Sequence, residues 1–224
     1  MKTLFKPLFA VILATIAFTS CMDDNSGDYE ADLLAQQKAI DSALHVEINK
    51  IDDYVLSTGE EWEKDTVNIP LSLLNKTINR GIRYQIIDTP TEEDEKAYEY
   101  KMGGNQLPSL PNSVKLKYAV YALDEDKALE EDKEGSEYNF TSSNSHLTDA
   151  WLISFFPAQL QSNGNTISFG QYTGLTKNGL KKGSKIRVIT PSLWFGNPFS
   201  GTVTADYLPS KEPVIYEFEV LGIN

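Results

Sequence analysis

Three sets of side chains in this chain of 224 residues could do chemistry, and spacing disqualifies two of them. Carboxylates are densest between Asp124 and Glu134, where seven acids are interleaved with two lysines. A glycoside hydrolase needs two carboxyl groups across one cleft, one of them raised in pKa. Glu130, Glu131 and Asp132 instead sit in a charge run that reads as a hydrated loop between strands. The histidines, His45 and His146, are too isolated to hold a metal, and neither a metal nor any other cofactor is implied. Ser145, His146 and Asp149 read as a polar turn, because no serine stands in a nucleophile elbow. Gly103-Gly104 lacks the strand-to-helix context of a phosphate loop. The third set is aromatic: Tyr118, Tyr138, Phe140, Trp151, Phe195 and Tyr216, on strands and around the Gly- and Pro-marked corners of the last third. Core packing alone would account for Tyr118 and Tyr216, which fall on the buried faces of alternating strands.

The elements that must position these rings can be read in order. Lys2 and Lys6 precede an apolar run from Leu8 to Phe18, and Thr19 and Ser20 then precede Cys21. This reads as a signal peptide over 1–20, since the apolar run is shorter than the ~20 residues of a spanning helix. Cys21 is then the lipidated first residue of the mature chain, with a tether over 21–27. The formal net charge of -12 becomes more negative once the two leader lysines are gone. A phosphate-binding basic face is missing, which argues against nucleic acid as a partner.

Residues 28–80 form an N-terminal helical region. Leu33, Ile40, Leu44, Ile48, Ile51 and Val55 share one helical face, with Gly59 as the stop. That face must be covered by its own domain, which is the favoured reading, or by the same helix of a second copy. Pro70 breaks whatever begins at Thr66. A domain over 81–224 follows, starting with a half-buried strand from Ile82 to Ile87 and a loop over 91–111. Val114, Leu116, Tyr118, Val120 and Ala122 occupy alternate positions of the next strand, with Lys115 and Lys117 between them. Leu152 to Phe156 reads equally as strand or buried helix, closed by Pro157. Gly174 to Gly183 looks like a short helix ending on glycine. Ile186 and Val188, then Tyr216, Phe218 and Val220, complete two more alternating strands. The fold class is α+β, with antiparallel strands, one short late helix and a long helix in front.

From Gly183 onward the chain runs through Gly183-Ser184-Lys185, Pro191, Phe195-Gly196, Leu208-Pro209 and Tyr216-Glu217-Phe218-Glu219-Val220. This succession resembles the ending of bacterial members of the FKBP family of peptidyl-prolyl cis-trans isomerases, which wrap a bent antiparallel sheet around a short helix. The front of the chain is similar to the lead-in of FKBP-like lipoproteins of the Bacteroidetes kind, whose acidic tract after the cysteine Asp23 and Asp24 resemble. The resemblance places this protein in the cell envelope, lipid-anchored at the outer membrane on its periplasmic or surface face, touching the membrane only through its lipid, as a monomer or a helix-mediated dimer.

Carried over position by position, the resemblance assigns the pocket tyrosine to Tyr118, a wall to Tyr138, the corner aromatic to Phe195 and further walls to Leu208 and Tyr216. The pocket floor falls on Trp151, through Leu147-Thr148-Asp149-Ala150-Trp151, or on Tyr172. Trp151 leaves an insertion over 152–179 before the next strand. The family's Phe-Asp pair would fall near Ala128-Leu129-Glu130 and is absent there, and Phe195 lacks the hydroxyl of the family's corner tyrosine.

The implied chemistry needs neither nucleophile nor general acid. Rotation about an X-Pro amide meets a barrier of ~18–20 kcal/mol because conjugation is lost on twisting. A dry aromatic cup holds the prolyl ring and favours the less polar twisted state, and a donor to the carbonyl or the prolyl nitrogen adds to this. The expected function is a weak isomerase or proline-directed chaperone acting on proline-containing peptides or unfolded client proteins. The alternative is a noncatalytic FKBP-like lipoprotein that serves as a binding scaffold.

Overall fold

The computed structural model describes residues 26–103, 106–141, 143–162 and 164–224. The leader, Cys21 and the tether through residue 25 lie outside the described residues. Helix α1 spans Ser26–Thr58 and ends at Gly59, whose φ of 65° suits a residue without a Cβ. From Ile40 onward its apolar face docks on its own domain. Ile40 and Leu44 enter the main core, and Ile51 is fully buried with Ile189 and Ile215 in a second, smaller cluster.

Strands β1 (Glu63–Lys64), β2 (Asn68–Leu71), β3 (Lys76–Asn79) and β4 (Arg83–Asp88) follow. Pro70 does not break its segment. It lies inside β2, paired with Thr77 in a two-stranded ribbon, where the missing N–H falls on an edge. Residues 91–111 are not all loop either. Helix α2, Glu92–Ala97, is capped by the Thr91 side chain, which accepts from the Asp94 N–H, and its first turn carries four acids.

The central sheet is built from β5 (Ser113–Ala122), β6 (Glu130–Asn139), β9 (Lys185–Thr190) and β10 (Val214–Ile223), with β4 and β1 beyond β9. Its order is β1-β4-β9-β10-β5-β6, and every pairing is antiparallel. Register shifts at Ile86/Asp88, Leu116/Tyr118 and Val220/Gly222 bend the strands, as bulges do. The acids from Glu130 to Glu134 belong to β6 rather than to a loop. An edge strand with open faces tolerates such a charge density, and it also discourages pairing with another chain.

Helix α3, Asp149–Phe155, settles the ambiguous apolar stretch: it is a helix, and all seven residues are buried. It lies against the sheet, with Trp151 and Phe155 meeting Phe218 edge-on at 5.3 and 5.8 Å between ring centres. Burial of each such side chain contributes roughly 1.5–3 kcal/mol. The chain leaves α3 through the short ribbon β7 (Leu160–Ser162) and β8 (Asn165–Ile167).

No helix forms between Gly174 and Gly183. Pro157 bridges Thr176, and the Gly174 backbone lies so close to the Phe156 carbonyl that a Cβ would sit 1.7 Å from its oxygen. Tertiary clamping onto the exit of α3 overrides the local helical pattern. The result is an α+β domain in which a bent antiparallel sheet cradles a short helix behind a long N-terminal one.

A second node ties β2 and β3 to the domain. Arg80, fully buried, donates from Nε to Asp65 and from Nη1 to the Gln171 carbonyl at 2.5 Å. Its own carbonyl accepts from the Trp194 indole at 2.9 Å.

Candidate functional site: an aromatic cup around Trp151

Strand β5 aims Tyr118 at the concave face because alternate residues share a face, and β10 aims Tyr216 and Phe218 the same way. The register sets Phe218 beside Tyr118 and, on the other side of β5, Asp132 beside Tyr118. Helix α3 drives Trp151 into the centre. Around it stand Phe218, Tyr118 and Tyr138, all edge-on at 5.3, 5.4 and 5.6 Å. Tyr216 stacks on Phe218 at 5.5 Å, and Phe140 backs Trp151 at 6.4 Å. The edge-on contacts put positive ring edges against negative faces, the favoured geometry for aromatic pairs.

The base of this cup is buried, with Trp151, Tyr216 and Leu147 at 0 % exposure, whereas Tyr138, His146 and Tyr207 form a half-exposed rim. His146 lies over the rings at this rim. Its Nδ1 is hydrogen-bonded to the Tyr118 hydroxyl at 2.9 Å, and its ring stacks on Tyr207 at 5.9 Å. Burial pushes the Tyr118 hydroxyl well above the ordinary tyrosine range, reinforced by Tyr138 and the nearby acids. Tyr207 is raised as well, again chiefly by burial.

Asp132 anchors the far side of the rim. Its carboxylate accepts from the Gly135 and Ser136 N–H groups and from the Tyr138 hydroxyl, each at 2.8 Å. Burial pulls this carboxyl upward, but the donors outweigh it and hold Asp132 well below the usual carboxylate range. Burial and the bond to Asp132 push Tyr138 up to about 12.

Two polar atoms of the cup are buried without any hydrogen-bond partner, Trp151 Nε1 and Tyr207 Oη, while Tyr216 Oη and Thr148 Oγ1 have only each other within reach. Native structures pair nearly all such groups. Each unpaired one costs about 1–3 kcal/mol. Donors left unpaired among packed rings can meet a peptide carbonyl or an imide nitrogen, once the rings part, without giving up any bond of their own.

The structure brings together Tyr118, Tyr138, Trp151, Tyr216, Leu147 and Thr148. It separates Phe195, Leu208 and Tyr172. Phe195 and Leu208 line a groove against α1, and Phe195 makes no ring contact with Trp151, Tyr118, Tyr138 or Tyr216 among the described residues. Tyr172 lies opposite Asp149, at the start of α3; of the two floor candidates, Trp151 is the one whose ring meets Tyr118 and Tyr138. Burial pushes the Asp149 carboxyl up to about 7, with the Tyr172 hydroxyl pulling the other way.

Three members of the site were missed in the sequence. Asp132 is hidden in a charge run that reads as loop, and it supplies an aspartate beside Tyr118 although the Phe-Asp pair is absent near Ala128-Leu129-Glu130. His146 was set aside as part of a polar turn. Tyr207 sits one residue before the expected Leu208-Pro209 pair, and no signal in the sequence marks it.

No protein-family model matches this chain, and no curated protein matches it. Among solved structures, similarity is found to a peptidyl-prolyl cis-trans isomerase from Pseudomonas syringae pv. tomato, at 13% identity and a TM-score of 0.36, covering 91% of this chain and 99% of that one. The three FKBP domains of wheat FKBP73 are similar at 17% identity and a TM-score of 0.35, covering 64% and 44%. The N-terminal domain of FKBP42 from Arabidopsis thaliana is similar at 17% identity and a TM-score of 0.32, covering 72% and 95%. At these identities and scores the likenesses carry no conclusion about activity.

Proposed function

We propose that the cup around Trp151 binds the prolyl ring of an extended or unfolded polypeptide, and that the protein acts as a weak peptidyl-prolyl isomerase or proline-directed chaperone. The observation that carries this reading is the Trp151 indole N–H, fully buried and unpaired at the centre of edge-on rings. A prolyl ring reaches it when His146 and Tyr207 swing away from the opening. Phe218, Tyr118 and Tyr138 then hold the ring, while the freed donors meet the adjoining carbonyl. Water exclusion favours the twisted amide, whose separated charge is smaller than that of the planar form, and each donor that strengthens on twisting lowers the barrier.

A noncatalytic scaffold is the second reading. It is favoured by the engagement of the Tyr118 hydroxyl with His146 and by the placement of Phe195 in the lining of the groove beside α1, where it also has no hydroxyl to offer. A protease-coupled isomerisation assay on the wild type, Trp151→Phe and Tyr118→Phe separates the two. The enzyme reading expects acceleration in the wild type that drops several-fold in Trp151→Phe. Wild-type rates at the uncatalysed level, together with measurable affinity for a proline tetrapeptide, leave the scaffold.

We also propose that the module is held in the cell envelope by a lipid on Cys21, a reading supported by the leader, the small residues before the cysteine and the polar tether. Cys21→Ser should move the protein from the membrane to the soluble fraction. Unchanged membrane association contradicts the anchor.

A further inference from the structure

The helix α1 and the segment from Ser192 to Lys211 enclose a groove of about 410 Å³, within the usual range for ligand sites. Small residues make the room: Ala39 and Ala43 stand one helical turn apart on α1, facing Leu193, Phe195 and Leu208. Two polar clamps hold the walls apart. At one, the buried carboxylate of Glu47 accepts from the Ser192 N–H at 2.6 Å and from its hydroxyl at 2.7 Å. At the other, Lys50 donates to Glu212 at 2.7 Å.

The groove adjoins the aromatic cup. Tyr207 stacks on His146 at the rim of the cup, and the next residue, Leu208, lines the groove, so the partition is a single stretch of chain. Lys211 stands at the lip with φ 60°, a conformation disfavoured for a side chain of its kind, and it has no ion pair among the described residues. In a chain of net charge -12 this places one positive charge without an ion pair at the groove lip.

We infer that the groove is a second subsite for the same client chain, taking a bulky apolar side chain near the proline, with an acidic residue next to it facing Lys211. The inference rests on the prolyl reading of the cup. A polypeptide is the fitting occupant because only an extended chain spans both recesses across the Tyr207–Leu208 partition. Exposed Val203, on the groove wall, and exposed Phe199 nearby extend the apolar surface along which such a chain would lie.

Fluorescence anisotropy with two labelled peptides tests this. One is a proline tetrapeptide. The other is a decapeptide carrying Leu-Glu within a few residues of the proline, with an Ala-Lys version as its control. The Leu-Glu decapeptide should bind about tenfold tighter than the tetrapeptide or the control, the range expected for one apolar side chain in a pocket. Ala43→Trp, a change at an exposed helix position that fills the groove, should erase the gain and leave tetrapeptide affinity unchanged, which also reports that the domain is folded. Lys211→Gln should shrink the gain of the Leu-Glu decapeptide over the Ala-Lys control without abolishing it.

Equal affinities for the Leu-Glu and Ala-Lys peptides, or a gain that survives Ala43→Trp, overturn the inference. Concentration-dependent dimerisation that Ala43→Trp abolishes would place a second copy in the groove and overturn it as well. Loss of tetrapeptide binding in the wild type is a different failure, that of the cup.

Discussion

Trp151 and Trp194 are both fully buried, yet they stand in opposite electrostatic circumstances. The Trp194 indole donates to the Arg80 carbonyl at 2.9 Å, beside a guanidinium that is itself tied to Asp65 and Gln171. The Trp151 indole donates to nothing, and the Tyr207 hydroxyl at the rim is also unpaired. Similar ring area is buried at each place, so packing cannot explain the difference. At Trp194 the indole hydrogen bond is closed, although Arg80 Nη2 beside it is buried without a partner, and the node fastens the β2–β3 ribbon to the domain. The Trp151 region leaves donors open where a ligand would complete them.

The contrast can be broken most forcefully at its structural end. Arg80→Met removes the partner of a buried Asp65 carboxylate and should cost about 3–5 kcal/mol in urea denaturation, the usual penalty for stranding one charge of a buried pair. A loss under about 1 kcal/mol would mean that this node is not the anchor described.

Asp149, at the start of the helix that carries Trp151, offers a pH test. Burial raises its native pKa from 3.8 to about 7, so the folded state holds a proton that the unfolded chain has released. Its contribution is therefore fully present below the unfolded value near pH 4 and is lost as pH rises toward 7, by up to about 1.4 kcal/mol for each pH unit. The stability difference between the wild type and Asp149→Asn should widen in favour of the variant from pH 4 to pH 7 and then level off. A difference that is flat across this range contradicts the burial assigned to Asp149.

The sharpest comparison is between Trp194→Phe and Trp151→Phe. Both lose the same volume, but only Trp194→Phe strands a buried carbonyl, so it should be less stable by about 1–3 kcal/mol. Equal losses would remove the distinction between a satisfied and an open indole. The smallest effect is expected at the groove clamp: Lys50→Ala breaks an exposed pair and should change stability by no more than about 1 kcal/mol. A larger loss would make the clamp part of the core structure.

Much of this arrangement is visible in the sequence because period-2 patterns report sheet faces directly. Val114 to Ala122 and Tyr216 to Val220 mark the strands that aim Tyr118 and Tyr216, whereas Trp151 comes only through the resemblance, with Tyr172 as its alternative. Three features resisted for physical reasons. The acids of β6 look like loop because an edge strand needs no apolar alternation, and this concealed Asp132. The helical pattern after Gly174 yields to contacts with Phe156 and Pro157 that are remote in local propensity. Phe195 joins the lining of the groove beside α1, a tertiary placement that no local pattern encodes.

The most direct measurement follows the indole N–H resonances of the three tryptophans, Trp62, Trp151 and Trp194, while a proline-containing tetrapeptide is added. The Trp151 signal should move downfield in proportion to occupancy as it gains an acceptor, with Trp194 fixed on the Arg80 carbonyl throughout. A titration in which Trp151 stays still at peptide saturation, or in which Trp194 moves in its place, contradicts the cup as the binding site.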